Sequence, residues 1–434
     1  MRLTGKLSEW GTRVVDIGGN QVGLEAERID SHLLTEKIAA GRDEQANEAP
    51  FLLVNLDTLI ARYDRWIREL PQVKPFYAVK SNPSPVVLRV LAGMGVNFDC
   101  ASRGEIEQVL SLGVSPDRII FANPAKPASY IQYAQDVGVY RMTVDSSEEL
   151  RKIAVNFPQA EILLRLATSD KSAMTPLSGK FGADGVRQIP DLLREALSLG
   201  LNIVGISFHV GSGCRDPTSF GRALEETHRL HELGKTIGHQ MTVIDIGGGF
   251  PGGQINANFE ACANEIRSSL ETLFNDDTYE ILAEPGRYFC SEAFTLCANV
   301  IHSNEIPPEY DPTGASTGTQ MKYYLNDGVF GSFACKFFQY LHSEGQPLRP
   351  KTGRPILSST IFGPTCDTWD KIEDNRQVEK MEIGEWIYYR DMGAYSCACA
   401  STFNGFQPPE HIFAISEQNW ARIKPLLEKD DSIA

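Results

Sequence analysis

The stretch VIDIGGGF, residues 243–250, is a short apolar run that ends in three glycines. Further runs of this kind occur between residues 76 and 284, each ending in a polar or glycine residue, and helix-like stretches separate them. Parallel strands that are buried on both faces give near-continuous apolar runs, and their alternation with helices predicts βα units. The eight predicted strands are Phe76–Lys80, Asn97–Asp99, Ile119–Asn123, Arg141–Asp145, Ile162–Arg165, Val204–His209, Val243–Gly249 and Glu280–Glu284.

Eight βα units predict a (β/α)8 barrel, a fold whose catalytic groups lie at the C-terminal ends of its strands. Several predicted strands end in residues suited to chemistry, and we therefore predict that the chain is an enzyme. These residues are Lys80, Asp99, Arg165, His209, the glycines 247–249 and Glu284.

The two ends of the chain predict a second domain. After residue 293 the pattern changes to separate strand-like runs with turn residues between them, which is typical of an antiparallel β-domain. We expect residues 1–54 to contribute to this domain, residues 55–293 to form the barrel and residues 294–434 to form the β-domain. Residues 1–50 show little helix periodicity. The strands predicted after the barrel are Phe294–Ile301, Gln320–Leu325, Ile356–Phe362, Glu385–Tyr389 and His411–Ala414.

The composition of the chain argues against several classes of binding partner. The net charge of −15 argues against nucleic acid or an anionic membrane as the main partner. The nine cysteines include no CxxC pair, which predicts neither a metal site nor a disulfide framework. Met1–Asn20 has no apolar core of signal-peptide length, and no run approaches transmembrane length. We therefore expect a cytoplasmic protein that acts on a small molecule.

Lys80 follows four apolar residues at the predicted catalytic rim. Poor hydration lowers the pKa of a lysine and favours its neutral amine. A neutral amine can condense with an aldehyde, so pyridoxal phosphate is a candidate cofactor. Taken alone, a lysine that simply reaches solvent from a strand end explains the pattern better.

The loops after the seventh and eighth strands predict a phosphate site, as in many barrels. Backbone N–H groups of glycines 247–249 can close around a phosphate, and Arg287 can bind it through two hydrogen bonds. A lone glycine run usually marks a plain turn, but the two features on adjacent strands are stronger evidence. Glu284 can keep a pyridine nitrogen protonated, so that the ring accepts electrons.

Other candidate residues give weaker evidence of a functional site when each is considered alone. His209 can lie against the ring face and Ser212 can donate to a phosphate, but either can be structural. Asp99 and Arg165 would also suit a rim ion pair. In GPTCD, residues 363–367, a cysteine beside an aspartate suggests a proton donor next to a cation-binding carboxylate, although most lone cysteines are small core residues.

Taken together, these residues resemble the ornithine decarboxylase family, the fold III pyridoxal phosphate decarboxylases. The resemblance implies an alanine racemase/ornithine decarboxylase-like fold, amino-acid decarboxylation, and a homodimer with its two active sites at the subunit interface. The matching segments cover nearly the whole chain: PFYAVKSN (75–82), FDCAS (98–102), ANP (122–124), SFHVGSGCRDP (207–217), DIGGGFPG (245–252), AEPGRY (283–288), NDGVFGSF (326–333), GPTCD (363–367) and MGAYSCACASTFNGF (392–406).

The resemblance implies a role for each matching residue around the cofactor. Lys80 matches the lysine bonded to the cofactor, and Glu284 matches the partner of its pyridine nitrogen. Asp99, Arg165 and His209 match residues around the ring. The residues that match the phosphate cradle are Ser212, Gly247, Gly248, Gly249, Arg287 and Tyr395.

The resemblance also implies substrate contacts. Cys366 matches a catalytic proton donor supplied by the other subunit, and Asp367 matches a ligand of the substrate amine. Phe403 matches an aromatic residue near the substrate carboxylate.

The chain departs from the family pattern where the substrate tail is bound. In ornithine decarboxylases an aspartate after the NDGVYGSF motif holds the distal ammonium; here Gln339 stands in its place, next to Phe338. Losing one of two carboxylate partners is expected to cost about 2–4 kcal/mol for a cationic tail. Phe330 replaces a common tyrosine and Lys336 adds a positive charge. These residues predict a substituted or carboxylate-bearing tail, as in loline-type alkaloid pathways.

Three functions therefore stay open. The first is decarboxylation of an ornithine-like amino acid with such a tail. The second is ornithine decarboxylation itself, which holds if Asp367 suffices or if the alignment is shifted by one residue. The third is a catalytically inactive binding protein like the antizyme inhibitors, which the retained Lys80, Glu284 and Cys366 disfavour.

Overall fold

The computed structural model describes residues 13–169, 172–253, 258–275, 278–310, 318–337 and 343–431. These residues form two units. The barrel unit comprises residues 62–289 and the residues from 423 onward, and the β-unit comprises residues up to 61 together with 290–422. The first described elements are β1 (Arg13–Ile17), β2 (Asn20–Glu25), α1 (Ser31–Glu44), β3 (Phe51–Asn55) and α2 (Leu56–Glu69).

Helix α1 was not predicted. Asp30 caps its N-terminus, where its Oδ1 accepts from the backbone N–H groups of His32 and Leu33 at 2.9 and 3.1 Å. Few of the residues of α1 are buried, and its sequence therefore shows only a weak apolar periodicity from which a helix could be predicted. The helix is stabilised by packing on the β-unit core, against Phe51 and Leu53.

The barrel is present as predicted, and all eight predicted strands take part in it. Eight parallel strands close in the order β10-β12-β13-β4-β5-β6-β7-β8, while β9 and β11 form a separate antiparallel pair. The strands are β4 (Val73–Ala78), β5 (Asn97–Cys100), β6 (Ile119–Phe121), β7 (Arg141–Val144), β8 (Glu161–Leu166), β9 (Ala173–Thr175), β10 (Asn202–Phe208), β11 (Ser212–Cys214), β12 (Val243–Asp245) and β13 (Glu280–Ala283).

Apolar side chains from alternate strands fill the interior of the barrel. Phe76, Ile120, Leu163 and Val243 belong to this cluster and are nearly inaccessible to solvent. Filling the interior leaves the C-terminal rim as the place for polar groups. The helices after the strands are α3 (Pro85–Gly93), α4 (Arg103–Leu110), α5 (Ala128–Val137), α6 (Ser147–Asn156), α7 (Gln188–Ser198), α8 (Thr218–Ile237), α9 (Phe259–Leu273) and α10 (Arg287–Cys290).

The predicted β-domain is present, but its sheet is mixed, because three of its strand pairs are parallel and the others antiparallel. Its strand order is β1-β2-β20-β3-β14-β15-β17-β18, with β19 pairing β14 and β16. The pairs β2–β20, β20–β3 and β15–β17 are parallel. The remaining elements are β14 (Phe294–Ile306), β15 (Gln320–Leu325), α11 (Ala334–Phe337), β16 (Gln346–Pro347), β17 (Ile356–Phe362), β18 (Lys371–Glu379), β19 (Trp386–Tyr389), β20 (Glu410–Ser416) and α12 (Glu417–Asp431).

Two elements of the C-terminal region differ from the sequence prediction. Strand β18 was missed because most of its side chains are polar, which leaves no apolar run. Helix α12 passes from the β-unit to the barrel unit, whereas the predicted boundary placed all of residues 294–434 in the β-domain. Its Leu427 packs against Gly93, with Cδ2 2.8 Å from the position of a β-carbon there.

Candidate active site

Lys80 lies in a single 3-10 turn, Val79–Ser81, just beyond β4. The pairing of β4 with β5 sets Ala78 beside Asp99, and Lys80 Nζ forms an ion pair with the Asp99 carboxylate. The Lys80 side chain is 44% exposed, whereas that of Asp99 is inaccessible to solvent. Asp99 Oδ1 has no hydrogen-bond partner among the described residues. The arrangement therefore orients an amine that a small molecule can reach.

His209 follows β10 and carries a neutral ring. Its Nδ1 accepts the backbone N–H of Gly211 at 3.0 Å, which leaves the ring proton on Nε2. Burial, together with the positive charges of Arg165 and Lys80, holds the pKa of His209 well below its usual value. Arg165 lies on β8 with its guanidinium 5.4 Å from the centre of the Phe181 ring. A neutral imidazole at this rim suits contact with an aromatic ligand.

The glycine run after β12 admits no side chains. A β-carbon on Gly247 would lie 1.8 Å from the Phe208 carbonyl oxygen, and one on Gly248 would lie 2.6 Å from His209 Nε2. Gly249 is equally confined, with Val210 Cγ2 2.6 Å from its β-carbon position. Gly247 has a φ of +59°, in the left-handed region. Backbone N–H groups are therefore the groups that this loop offers to a ligand.

Ser212 and Arg287 lie together beside that run. Arg287 Nη2 is 3.5 Å from Ser212 Oγ, and the Arg287 side chain is largely buried. The backbone of Arg287 also approaches Gly252, where a β-carbon would lie 2.6 Å from the Arg287 carbonyl oxygen. The loops after the seventh and eighth barrel strands thus provide a cation, a hydroxyl and amide groups, which suits a phosphate.

Glu284 follows β13 and adjoins the same loop. Its backbone N–H donates to the Gly247 carbonyl at 2.6 Å. Burial and the neighbouring Asp245 and Asp99 carboxyl groups raise the pKa of the Glu284 carboxyl well above its usual value. Asp245, the last residue of β12, is inaccessible to solvent, and burial raises its pKa to about 7. The sequence reasoning gave Asp245 no role, although an acidic residue that ends a buried strand before a glycine run is a recognisable signal.

In the β-unit, the structure brings three predicted substrate residues together. The rings of Phe330 and Phe403 are 4.7 Å apart, and the Ser401 N–H donates to the Phe330 carbonyl at 2.8 Å. The Cys366 N–H donates to Asn404 Oδ1 at 3.1 Å, which places the cysteine beside the turn that carries Phe403. Cys366 is exposed. The next residue, Asp367, accepts the backbone N–H of Trp369 at 2.8 Å.

Asp370 organises these loops, and the sequence reasoning missed it. Its Oδ1 accepts the Val329 N–H at 2.8 Å, and its Oδ2 accepts the Thr365 N–H and hydroxyl at 2.9 and 2.7 Å. β-Carbons on Gly328 and Gly363 would each lie 2.2 Å from Asp370 Oδ1. One buried carboxylate therefore joins the loop of Phe330 to the loop of Cys366. Gly328 and Gly363, which pack on Asp370, were the sequence features that could have indicated this role.

The other predicted substrate residues have different locations. The Lys336 side chain is 12% exposed, with Nζ 3.9 Å from Glu373 Oε1 and 5.4 Å from the centre of the Tyr389 ring. Phe338 and Gln339 lie outside the described residues. Tyr395 belongs to the β-unit and has a φ of +57°.

The barrel residues fit pyridoxal phosphate. Lys80 offers an accessible amine for its aldehyde, and the glycine run with Ser212 and Arg287 offers a cradle for its phosphate. Glu284 offers a carboxyl for the ring nitrogen, and the neutral His209 ring can cover a ring face. The buried Asp99 Oδ1 supplies an unused acceptor at the same rim.

Comparison with known proteins agrees with this assignment. The family described as "Pyridoxal-dependent decarboxylase, pyridoxal binding domain" matches residues 56–291. The chain is 46% identical over 411 residues to the ornithine decarboxylase of Caenorhabditis elegans, across 94% of this chain and 97% of that protein. This chain belongs to the ornithine decarboxylase family. It is a pyridoxal phosphate-dependent amino-acid decarboxylase of the barrel-plus-β-domain type.

This chain is also similar to family members that carry other names. The antizyme inhibitor 2 of Xenopus laevis is 38% identical over 399 residues, across 91% of this chain and 87% of that protein. The arginine decarboxylase of Paramecium bursaria Chlorella virus, solved bound to agmatine, superposes with a TM-score of 0.81 at 32% identity, across 88% of this chain and all of that one. Among the described residues, no helix is long and apolar enough to cross a membrane.

Proposed function

We propose that this decarboxylase acts on L-ornithine and releases putrescine and CO2. The observation that carries the proposal is the 46% identity to an ornithine decarboxylase over nearly the whole length of both chains. Cys366 and Asp367, which the family resemblance assigns to substrate, are both retained. We therefore rank L-ornithine ahead of the substituted tail that the sequence pattern favoured.

The proposed roles of the barrel residues follow from their geometry. When bound, pyridoxal phosphate would supply the electron sink that amino-acid decarboxylation needs. Lys80 holds the cofactor's aldehyde carbon, and Asp99 orients the Lys80 amine. Glu284 holds the proton at the ring nitrogen, and His209 excludes water from one face of the ring.

The phosphate cradle is assigned mainly to the loops after the seventh and eighth barrel strands. We assign the cofactor phosphate to the amide groups of glycines 247–249, Ser212, Arg287 and, following the family resemblance, Tyr395. Amide donors in a fixed loop need no reorganisation when an anion binds, which favours tight retention of the cofactor.

We further propose a homodimer in which Cys366 and Asp367 serve the active site of the partner subunit. Cys366 protonates the substrate α-carbon there, and Asp367 binds the distal amine. Support comes from the family resemblance and from the exposure of this loop, whose Trp369 is 73% exposed. Exposed aromatic residues beside reactive groups are typical of interfaces. The free cysteines of the described chain favour a reducing compartment such as the cytoplasm.

A second candidate substrate is an ornithine with a substituted tail, and Gln339 is the observation that favours it. A glutamine can accept or donate a hydrogen bond but cannot neutralise an ammonium. The carboxylate-bearing variant of this idea loses support because Lys336 is engaged with Glu373 within the β-unit.

The decisive experiment measures kcat/KM for L-ornithine with purified, cofactor-loaded enzyme. We expect roughly 10⁴ M⁻¹s⁻¹ or more, which is ordinary for an enzyme with its own substrate. A value lower by orders of magnitude would contradict the proposal. Gln339→Asp then separates the candidates: recovery of ornithine turnover by tenfold or more, with N-substituted ornithines preferred by the unaltered enzyme, would establish the substituted tail.

A further inference from the structure

Asp245, Gly247 and Glu284 are linked by a short chain of hydrogen bonds. Asp245 Oδ1 accepts the Gly247 N–H at 2.8 Å, and the Gly247 carbonyl accepts the Glu284 N–H at 2.6 Å. Adjacent strands supply the two acids, since β12 and β13 pair in register with Asp245 beside Leu282. The same contacts therefore fix the first glycine of the phosphate cradle and the residue assigned to the ring nitrogen.

The second carboxyl oxygen of Asp245, Oδ2, bears on how much negative charge is buried in this site. Asp245 Oδ2 is buried and receives no hydrogen bond from an N–H or hydroxyl group of the described residues, whereas the Asp245 and Glu284 carboxyl groups are hydrogen-bonded to each other. The charged groups that act on the two acids are Asp99, Arg165 and, for Glu284, Lys80. Lys80 is already paired with Asp99. Two further buried carboxylates would leave excess negative charge, which is unfavourable unless a proton is bound.

We propose that Asp245 is a positioning residue of the cofactor site, which fixes the Gly247 amide through Oδ1 and shares one proton with Glu284 through Oδ2. The pair then presents a single negative charge to the ring nitrogen. The inference rests on the cofactor and not on the identity of the substrate, so it is independent of the proposed ornithine activity.

The pKa of Asp245 agrees with this arrangement. It is raised to about 7, chiefly by burial, from an ordinary value near 3.8. A carboxyl whose pKa is higher in the folded than in the unfolded state stabilises the fold fully below the unfolded pKa. That stability is lost as the pH rises through the folded pKa. The cofactor-free protein should therefore lose stability between about pH 4 and pH 7 through this group.

Asp245→Asn tests the proposal, with Asp145→Asn as the matched control. Asp145 also follows a barrel strand and accepts a backbone N–H, that of Gly182 at 2.8 Å. In cofactor-free protein, the Tm of Asp245→Asn relative to the unaltered chain should rise by about 2 °C or more between pH 5.5 and pH 8. The Asp145→Asn difference should be the same at both pH values. If Asp245 held no proton in the folded protein, its replacement by asparagine would shift Tm equally at both pH values.

Cofactor binding gives a second readout, measured by visible absorbance during titration with pyridoxal phosphate. Asparagine retains the acceptor for Gly247 and supplies an amide hydrogen in place of the shared proton, so affinity at pH 7 should stay within fivefold. Asp245→Ala removes both contacts and should weaken binding by more than tenfold. A pH-independent Tm difference for Asp245→Asn, or a loss of more than fivefold in its cofactor affinity, would overturn the proposal. The Tm readout decides even if the alanine variant does not fold.

Discussion

At the scale of single residues, the barrel site combines groups whose protonation is controlled by burial. Burial lowers the pKa of His209 and raises the pKa values of Glu284 and Asp245. Lys80 is the accessible member, since its side chain is 44% exposed. The site therefore offers different groups to the aldehyde, the aromatic ring and the phosphate of pyridoxal phosphate.

The confinement of the glycine run predicts the effect of adding one methyl group. In Gly248→Ala the new β-carbon would lie 2.6 Å from His209 Nε2 and 3.0 Å from the Glu284 carbonyl oxygen. Displacing either group should weaken pyridoxal phosphate binding by tenfold or more, measured by absorbance titration. Gly179→Ala is the control because nothing lies within 4 Å of its β-carbon position. Equal affinity of the two variants would contradict the assigned cradle.

The location of Lys336 predicts a structural effect without a change of specificity. Burial lowers the pKa of Lys336, and Glu373 is its nearest ionic partner. Lys336→Met should lower the free energy of unfolding by about 1–3 kcal/mol, since Glu373 loses a charged partner. Lys371→Met, at an exposed position, should change it little. Thermal unfolding measures both. An altered preference among amino-acid substrates with unchanged stability would show that Lys336 serves the pocket instead.

At the scale of elements, the β-unit loops depend on the residue that precedes β18. Asp370 joins Val329 to Thr365 and thereby holds the loop of Phe330 against the loop of Cys366. Strand β18 is mostly polar, although its Ile372 and Val378 are buried. The carboxylate that joins the two loops therefore comes from the residue before the strand and not from the strand itself.

Asp370→Asn should impair catalysis without impairing cofactor binding. The amide can replace at most part of the three accepted hydrogen bonds, and charged hydrogen bonds of this kind contribute about 1.5–3 kcal/mol each. We expect kcat/KM to fall tenfold or more, while the affinity for pyridoxal phosphate stays within twofold. Asp374→Asn, at an exposed acid within β18, is the control and should leave both unchanged. If Asp370→Asn also lowered the affinity for pyridoxal phosphate, the prediction that Asp370 acts only through the substrate loops would be wrong.

At the scale of the whole molecule, the residues to which we assign catalytic roles belong to two different units. Lys80, Glu284 and the phosphate cradle belong to the barrel unit, whereas Cys366 and Asp367 belong to the β-unit. The proposed dimer would bring the Cys366 loop of one subunit to the barrel of the other. A symmetric dimer then has two identical composite sites.

Mixing two inactive variants tests this arrangement. Lys80→Ala lacks the cofactor lysine and Cys366→Ala lacks the proton donor. If each site combines residues from both subunits, half of the randomly mixed dimers contain one intact site. The mixture should then recover about a quarter of the unaltered activity. Each variant alone is the control, and no recovery after subunit exchange, checked by sizing a tagged and an untagged chain, would contradict a shared site.

The sequence by itself determined the barrel and the identity of its rim residues. Strand burial and helix alternation are local patterns, so eight apolar runs with polar ends predicted both the fold and the positions of Lys80, His209 and Glu284. The roles carried over from the family depended on motifs that are likewise continuous along the chain.

Only the tertiary structure decided how distant residues meet. The mixed sheet arises from pairings such as β2 with β20, which join residues nearly the whole chain apart and leave no local signal. The same holds for Asp245 with Glu284, for Asp370 with Val329 and for Lys336 with Glu373. A local pattern specifies which side chains are buried, but the partner of a buried charge depends on which strands become neighbours.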